Sequence, residues 1–371
     1  MNIQFSKKDT NIVKGVAIIA MLFHHTYVTN VKFKVHGVSF APFSRETVVT
    51  LAHWSKVCVG IFVFLSAYGI ALSLKKLYDQ KQYSRQNLSW MTMRRVWRIL
   101  SGFWPIFCLA VLGCILWAPE SFQVYQGGMA KLVYLFIDFV GLAHFFDTPT
   151  LMGTWWYLSL AFMEVILLPV LYYLYRRYGA FIMISLSYFL PMALSLEMST
   201  LMRYLPAMLL GVWFAEEDLF RKIAEWKIPH RRLVWTRILE ILMLTIILLG
   251  TVGVKTSAFG KEYKNITDSI TPLAVILFTW LFLAGIPVLR DVLHLCGKYS
   301  MNIFLLHNFI RVRWFEGFSY SFKFWWLILL VLLLDNLVLS ILIEKIKQML
   351  SYDRFVHKIE KNLQKLVKVE E

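Results

Sequence analysis

Lys14 and His25 stand eleven residues apart inside the first apolar segment of the chain, which reads Lys14-Gly-Val-Ala-Ile-Ile-Ala-Met-Leu-Phe-His24-His25. Eleven steps of about 100° close three helical turns with roughly 20° to spare. Both side chains therefore share a helix face, about 16 Å apart along the axis, and His24 points elsewhere. Ionisable groups within a membrane segment are costly and turn toward protein or a polar cavity. An imidazole titrates near neutral pH, so His25 has the chemistry to take a proton from a hydroxyl beside a thioester, as a general base for acyl transfer.

Other polar groups fall into equally spaced sets. Arg94, Arg95 and Arg98 are three and four apart, so they cluster on one side of a helix. Guanidinium groups bind phosphates in two-pronged fashion, which suits a cytoplasmic phosphate-bearing donor; arginines that only fix topology have the same pattern. The run Gly60-Ile-Phe-Val-Phe-Leu-Ser66-Ala-Tyr-Gly69 carries small residues that admit a second helix or an acyl chain. Tyr157 and Glu164 are two turns apart, following Trp155 and Trp156. A mid-span glutamate needs a partner, structural or catalytic. Ser300, His307 and Arg311, at steps of seven and four, line one helical face and suggest a cavity wall or interhelical hydrogen bonds. No spacing implies a metal.

These groups need helices to position them. The chain has 371 residues, is 58% hydrophobic and only 17% charged, far more apolar than a soluble protein. Apolar blocks near 10–30, 54–74, 99–118, 154–175, 179–196, 200–215, 237–254, 269–289, 293–310 and 324–344 match the length of a membrane-spanning helix. Alternating strand patterns are absent, which argues against an outer-membrane barrel. The expectation is an all-α, polytopic membrane protein of about ten spans. A further apolar stretch, 131–146, carries Asp138 and His144 and is expected to be re-entrant or interfacial.

The net charge of +16 is then read as lysine and arginine in cytoplasmic loops, with no nucleic-acid partner. Ten spans with both termini inside place most of the 39 basic residues on the inner side, including the Arg221–Arg237 cluster. Making 131–146 a span would turn that cluster outward. Lys14 then lies near the inner face and His25 deeper. The first segment has no cleavage-site pattern and reads as a retained helix. The four cysteines read as reduced packing residues. One membrane domain is expected over 1–350 and a basic amphipathic cytoplasmic tail over 351–371, with Phe355, Ile359, Leu363 and Val367 four apart, set on an anionic leaflet or solvated.

Taken together, these segments resemble the acyltransferase family 3 of integral membrane proteins, over roughly residues 9–344. The family's basic residue followed by a histidine in its first helix is similar to Lys14 and His25. Its Gly-Phe-Phe-x-x-Ser-Gly element resembles Gly60 to Ala67, alanine standing for the last glycine. Arg95-Val-Trp-Arg98 matches its Arg-x-x-Arg, Trp156-Tyr-Leu158 its Trp-x-Leu, and Gly297, Ser300 and His307 its late element. Where many members have adjacent glutamates this chain has Ala161 and Phe162, with Glu164 offset, and Asn11 replaces a frequent aspartate. Some members add an extracytoplasmic hydrolase-like domain, which is not expected here, so a second transfer step would need an envelope-assembly partner.

The resemblance implies a multi-pass cell-membrane enzyme that moves an acyl group, acetyl from acetyl-CoA, to a hydroxyl of a cell-surface polysaccharide or its lipid-linked precursor. In that reading His25 and Lys14 are catalytic, Arg94, Arg95 and Arg98 bind the donor, and Ser66, Trp156, Glu164, Ser300 and His307 line the cavity. The donor is a substrate and no cofactor stays bound. The alternatives are a proton-coupled transporter or flippase of a glycan-linked or anionic substrate, with Lys14, His25 and Glu164 as a relay, and a membrane scaffold.

Overall fold

The computed structural model describes residues 5–29, 31–125, 127–196, 198–225 and 234–367, so the middle of the Arg221–Arg237 cluster lies outside the described residues. Helices dominate, and no β-strand occurs among the described residues, only an isolated bridge between Ser39 and Phe324. In chain order they are α1 (Lys7–Tyr27), α2 (Val31–Val35), α3 (Arg45–Trp54), α4 (Cys58–Asp79), α5 (Arg85–Trp117), α6 (Ala130–Phe139) and α7 (Trp156–Ala193). There follow α8 (Thr200–Glu216), α9 (Leu219–Glu225), α10 (Val234–Thr256), α11 (Ala258–Glu262), α12 (Lys264–Leu281), α13 (Pro287–Lys298) and α14 (Ser300–Phe309). The last three are α15 (Glu316–Ser321), α16 (Trp325–Met349) and α17 (Tyr352–Leu366).

Local sequence explains many of the starts. Ser6 and Asp9 form a reciprocal cap on α1: the Ser6 N–H and hydroxyl donate to Asp9 Oδ2 at 2.8 and 2.6 Å, and the Asp9 N–H donates to Ser6 Oγ at 3.2 Å. Ser44, Ser84 and Ser199 cap α3, α5 and α8 in the same way, each hydroxyl accepting from a backbone N–H three residues on. Gly179, at φ 81°, breaks α7, which separates the stretches expected as spans 154–175 and 179–196.

Six helical segments among the described residues are long and apolar enough to cross a membrane: Arg45–Asp79, Arg85–Trp117, Gly153–Ala193, Ile238–Thr256, Lys264–Gly285 and Trp325–Met349. The most apolar window of Ile238–Thr256 buries none of its residues. Leu239, Leu242, Met243, Ile246 and Leu249 are all exposed on it, a surface that belongs in lipid. Some expected spans fall short of this measure. The first, on α1, carries ionisable residues, and α8 is 17 residues long. The stretch 293–310, expected as one span, is two helices parted at Tyr299 (φ −98°, ψ 13°). The stretch 131–146 forms only the ten-residue α6 and a set of turns, about 15 Å of helix against a core of about 30 Å.

The chain divides into two compact units. The first comprises 1–17, 57–83 and 164–298. Within it α4 packs on α8 and α12. A Cβ on Gly60 would strike the Asp268 carbonyl and Pro272, and one on Gly211 the backbone of Phe64 and Tyr68. The small residues of α4 thus serve helix packing at Gly60 and Ala67. The first half of α1 meets α13 backbone to backbone, Gly15 against the Leu293 carbonyl and Gly297 against that of Asn11. Asp268, buried on α12, pairs with Arg203 and Lys255.

The second unit comprises 18–56, 84–163 and 299–371. Here α14 packs against α5 and α16. Its core joins Phe103, Phe107, Trp155, Leu305, Phe309 and Leu332, all buried. The division falls inside α1, after Ala17, and inside α7, after Met163.

Candidate functional site

The second unit brings His25 and His307 together. They are 282 positions apart in the chain, yet their ring centroids are 5.0 Å apart with planes tilted by 39°. His25 comes from the last turns of α1. Tyr27 fixes that end by donating from its hydroxyl to the Trp325 carbonyl at 2.6 Å, and Tyr27, Phe33, Val48 and Ala52 form a small core around it. His307 comes from α14 and is fully buried.

Hydrogen bonding assigns the state of His307. Its Nδ1 lies 2.7 Å from the Phe304 carbonyl. A carbonyl only accepts, so Nδ1 carries the hydrogen and a neutral ring keeps its lone pair on Nε2. That Nε2 is buried without a hydrogen-bond partner among the described residues. The His25 ring meets His24 and His307. His24 is committed elsewhere, its Nδ1 2.7 Å from the Ala52 carbonyl. The site therefore presents two neighbouring imidazoles, one with a lone pair aimed at no donor among the described residues. This arrangement can accept a proton from a hydroxyl placed between ring nitrogens.

The Ser300, His307 and Arg311 stripe expected from α-helical spacing is altered beyond His307. Residues Ile310–Trp314 form a π-helical turn, which shifts the helical register from Ile310 onward. Arg311 folds back and donates to Asn308 Oδ1 at 3.0 and 2.9 Å. Asn308 in turn donates to Thr154 Oγ1 at 3.3 Å. Ser300 is buried one helix end away on α14.

Beside α14 lies a cavity of about 260 Å³, lined by residues between Asp138 and Trp156 that include His144, Asp147, Thr148 and Trp155. Asp138 shapes it. Its carboxylate accepts from Tyr125 Oη (2.5 Å), Thr150 Oγ1 (2.8 Å) and the Leu151 N–H (2.7 Å). The Gly153–Trp155 turn on its rim is fastened to α14, through Thr154 and through Trp155 Nε1, which donates to the Leu305 carbonyl at 3.0 Å.

Arg94, Arg95 and Arg98 lie on α5 of the same unit. Arg98 donates two hydrogen bonds to Glu360, at 2.6 and 3.1 Å, and Arg94 stands 3.6 Å from that carboxylate. Glu360 belongs to α17 and its side chain is 9% exposed. Trp97 Nε1 donates to the Val356 carbonyl and the Tyr352 hydroxyl to the Ser101 carbonyl. Partners that climb α17 in steps of four descend α5 in steps of three to four, so the two helices run antiparallel. The tail, expected on a leaflet or in solvent, packs one face on α5. Burial raises the Glu360 carboxyl, and the Arg98 hydrogen bonds, the Arg98 and Arg94 charges and His357 bring it to a net value below the usual glutamate range.

Lys14, Ser66 and Glu164 belong to the first unit. Lys14 and Ser66 are half-buried there and Glu164 is fully buried. The structure thus joins His25 to His307 and places Trp156 on the cavity wall, while Lys14 shares only its helix with His25. Spacing missed Asn308, Thr154, Asp138 and Glu360. The partners that tie them to other segments are 12 to 262 positions away, beyond the reach of a helical period. No group of three or more His, Cys, Asp or Glu among the described residues is arranged to hold a metal.

A family model described as an acyltransferase domain matches residues 8–345. No curated protein matches the chain, and no solved structure matches it.

Proposed function

The chain belongs to the acyltransferase-domain family over essentially its whole length, and from that premise we propose that it O-acylates a cell-surface glycan at the membrane. The acyl group is acetyl, delivered by acetyl-CoA, and the acceptor is a polysaccharide hydroxyl or that of its lipid-linked precursor. The observation that carries the reading is the His25–His307 pair, with ring centroids 5.0 Å apart and a partnerless Nε2.

In this mechanism His25 takes the proton of the acceptor hydroxyl as its oxygen attacks the thioester carbonyl carbon. The new C–O ester bond forms, the C–S bond breaks, and the proton on His25 passes to the leaving sulfur to give the free thiol. His307 holds the acceptor hydroxyl or the His25 ring in place through Nε2. Arg94, Arg95 and Arg98 hold the donor phosphates at the inner face, sharing guanidinium groups with Glu360. Lys14 is assigned to the donor path from its position on the helix of His25. Ser300 is assigned to the wall of the acceptor site from its place on the helix of His307, and Ser66 and Glu164, in the first unit, take no step.

The supporting experiment is thiol release from acetyl-CoA by the purified protein in lipid nanodiscs, with polysaccharide from the producing cells stripped of its esters by mild base. Release that depends on the polysaccharide supports the reading. Substrate-dependent proton flux without thiol release would support a transporter instead.

A further inference from the structure

We infer that the cavity beside α14 is the acceptor subsite, and that it takes a neutral or amino-bearing sugar ring and turns away acidic ones. The inference rests on the glycan O-acyltransferase reading and adds to it a place and a selectivity.

The cavity volume of about 260 Å³ accommodates one sugar ring. Its walls combine two kinds of surface. Trp156 offers an indole, with the His144 ring edge-on to it at 6.1 Å between centroids; flat aromatic faces suit the C–H faces of a pyranose. Thr148, Asp147 and His144 bring polar groups to the lining. The Asp147 carboxylate and the His144 ring nitrogens make no hydrogen bond among the described residues, whereas Asp138 is saturated by its three donors. The division of labour is plain. Asp138 holds the loop in shape, and Asp147 and His144 remain available to a guest.

Charge sets the selectivity. Two carboxyl groups line the cavity, from Asp138 and Asp147, and no lysine or arginine among the described residues does. A uronic or sialic carboxylate would face like charge without a lysine or arginine of the lining to meet it. A hydroxyl or ammonium group would donate to Asp147 instead.

Position supplies the link to chemistry. The rim turn that carries Thr154 and Trp155 is bonded to α14 at Asn308 and Leu305. These two residues bracket His307 in sequence. A sugar seated against Trp155 and Trp156 is therefore held by the same short helix that presents His307.

The test uses the full-length protein in nanodiscs with acetyl-CoA and the de-esterified polysaccharide. Trp156→Ala and Asp147→Asn are compared with wild type, with methyl glucoside, glucosamine and glucuronate at millimolar concentration as competitors. Trp156→Ala raises KM for the polysaccharide about tenfold, as loss of one well-packed aromatic contact does, with kcat within about twofold. Methyl glucoside and glucosamine inhibit wild type and glucuronate does not; Asp147→Asn, an exposed change that leaves the fold alone, narrows that difference. Unchanged KM and unchanged competitor ranking in both variants, with wild type active, would overturn the subsite and leave the function standing. A wild type that acylates no polysaccharide would overturn the functional reading, and the subsite with it.

Discussion

Replacing Glu360 with glutamine tests how α17 is held to α5. Glu360 accepts two hydrogen bonds from Arg98 and faces Arg94 at 3.6 Å. A hydrogen bond to a charged partner is worth about 1.5–3 kcal/mol and a neutral one about 0.5–1.5 kcal/mol. Glutamine keeps the shape and removes the charge, so each of the two bonds loses about 1 kcal/mol. The Arg98 side chain is 50% exposed, and solvent screening roughly halves the sum. About 1 kcal/mol remains, roughly a five- to tenfold increase in undocking of α17.

Hydrogen exchange of the α17 amides reads that opening directly. The pH dependence has a definite sign. The Glu360 carboxyl is held below its usual value, so its contribution is present above the ordinary glutamate pKa of about 4.3 and disappears as pH falls through the lower folded value. After correction for intrinsic exchange rates, protection in wild type stays level from neutral pH to about pH 5 and falls below about pH 4. Glu360→Gln shows lower protection above the step, meets wild type below it, and has no acid step of its own. A second readout comes from the donor assignment: freeing Arg94 and Arg98 lowers KM for acetyl-CoA. Equal protection in the two proteins at every pH would refute the clamp and leave the apolar face and the Trp97 and Tyr352 hydrogen bonds as the anchors.

Two further substitutions probe packing and loop shape. Gly297→Ala places a methyl group against the Asn11 carbonyl, and overpacking of this kind costs about 1–3 kcal/mol; a thermal unfolding midpoint in detergent within error of wild type would contradict that contact. Asp138→Ala strands the Tyr125 hydroxyl and the Leu151 N–H, at about 1–3 kcal/mol for each buried group left unmet. Limited proteolysis should cut the 140–152 loop faster in that variant, and an unchanged pattern would remove Asp138 from its role in shaping the cavity.

The helical, membrane-spanning character was legible because apolar block length is a local property. Helix breaks were legible only in part. Gly179 marks one in the sequence, but no proline stands at the break at Tyr299 or at the π-helical turn after Phe309. Helical phase separated His25 from His24, and the structure keeps that distinction, since His24 bonds to Ala52 while His25 faces His307. Spacing cannot supply contact between distant segments. Nothing in the sequence near His25 announces residue 307, and the arginine stripe gives no sign that Glu360 reaches it. Lys14 shows the opposite limit. Its shared face with His25 is a true property of α1, and helical phase alone says nothing of which neighbours α1 meets at each end.

The most direct measurement is polysaccharide-dependent thiol release by His25→Ala in nanodiscs, on protein whose unfolding midpoint matches wild type. A positioned general base contributes roughly 10²–10⁴-fold, so kcat should fall at least about a hundredfold while acetyl-CoA binding persists. Turnover within about threefold of wild type would contradict the account, because a general base cannot be removed at so small a cost.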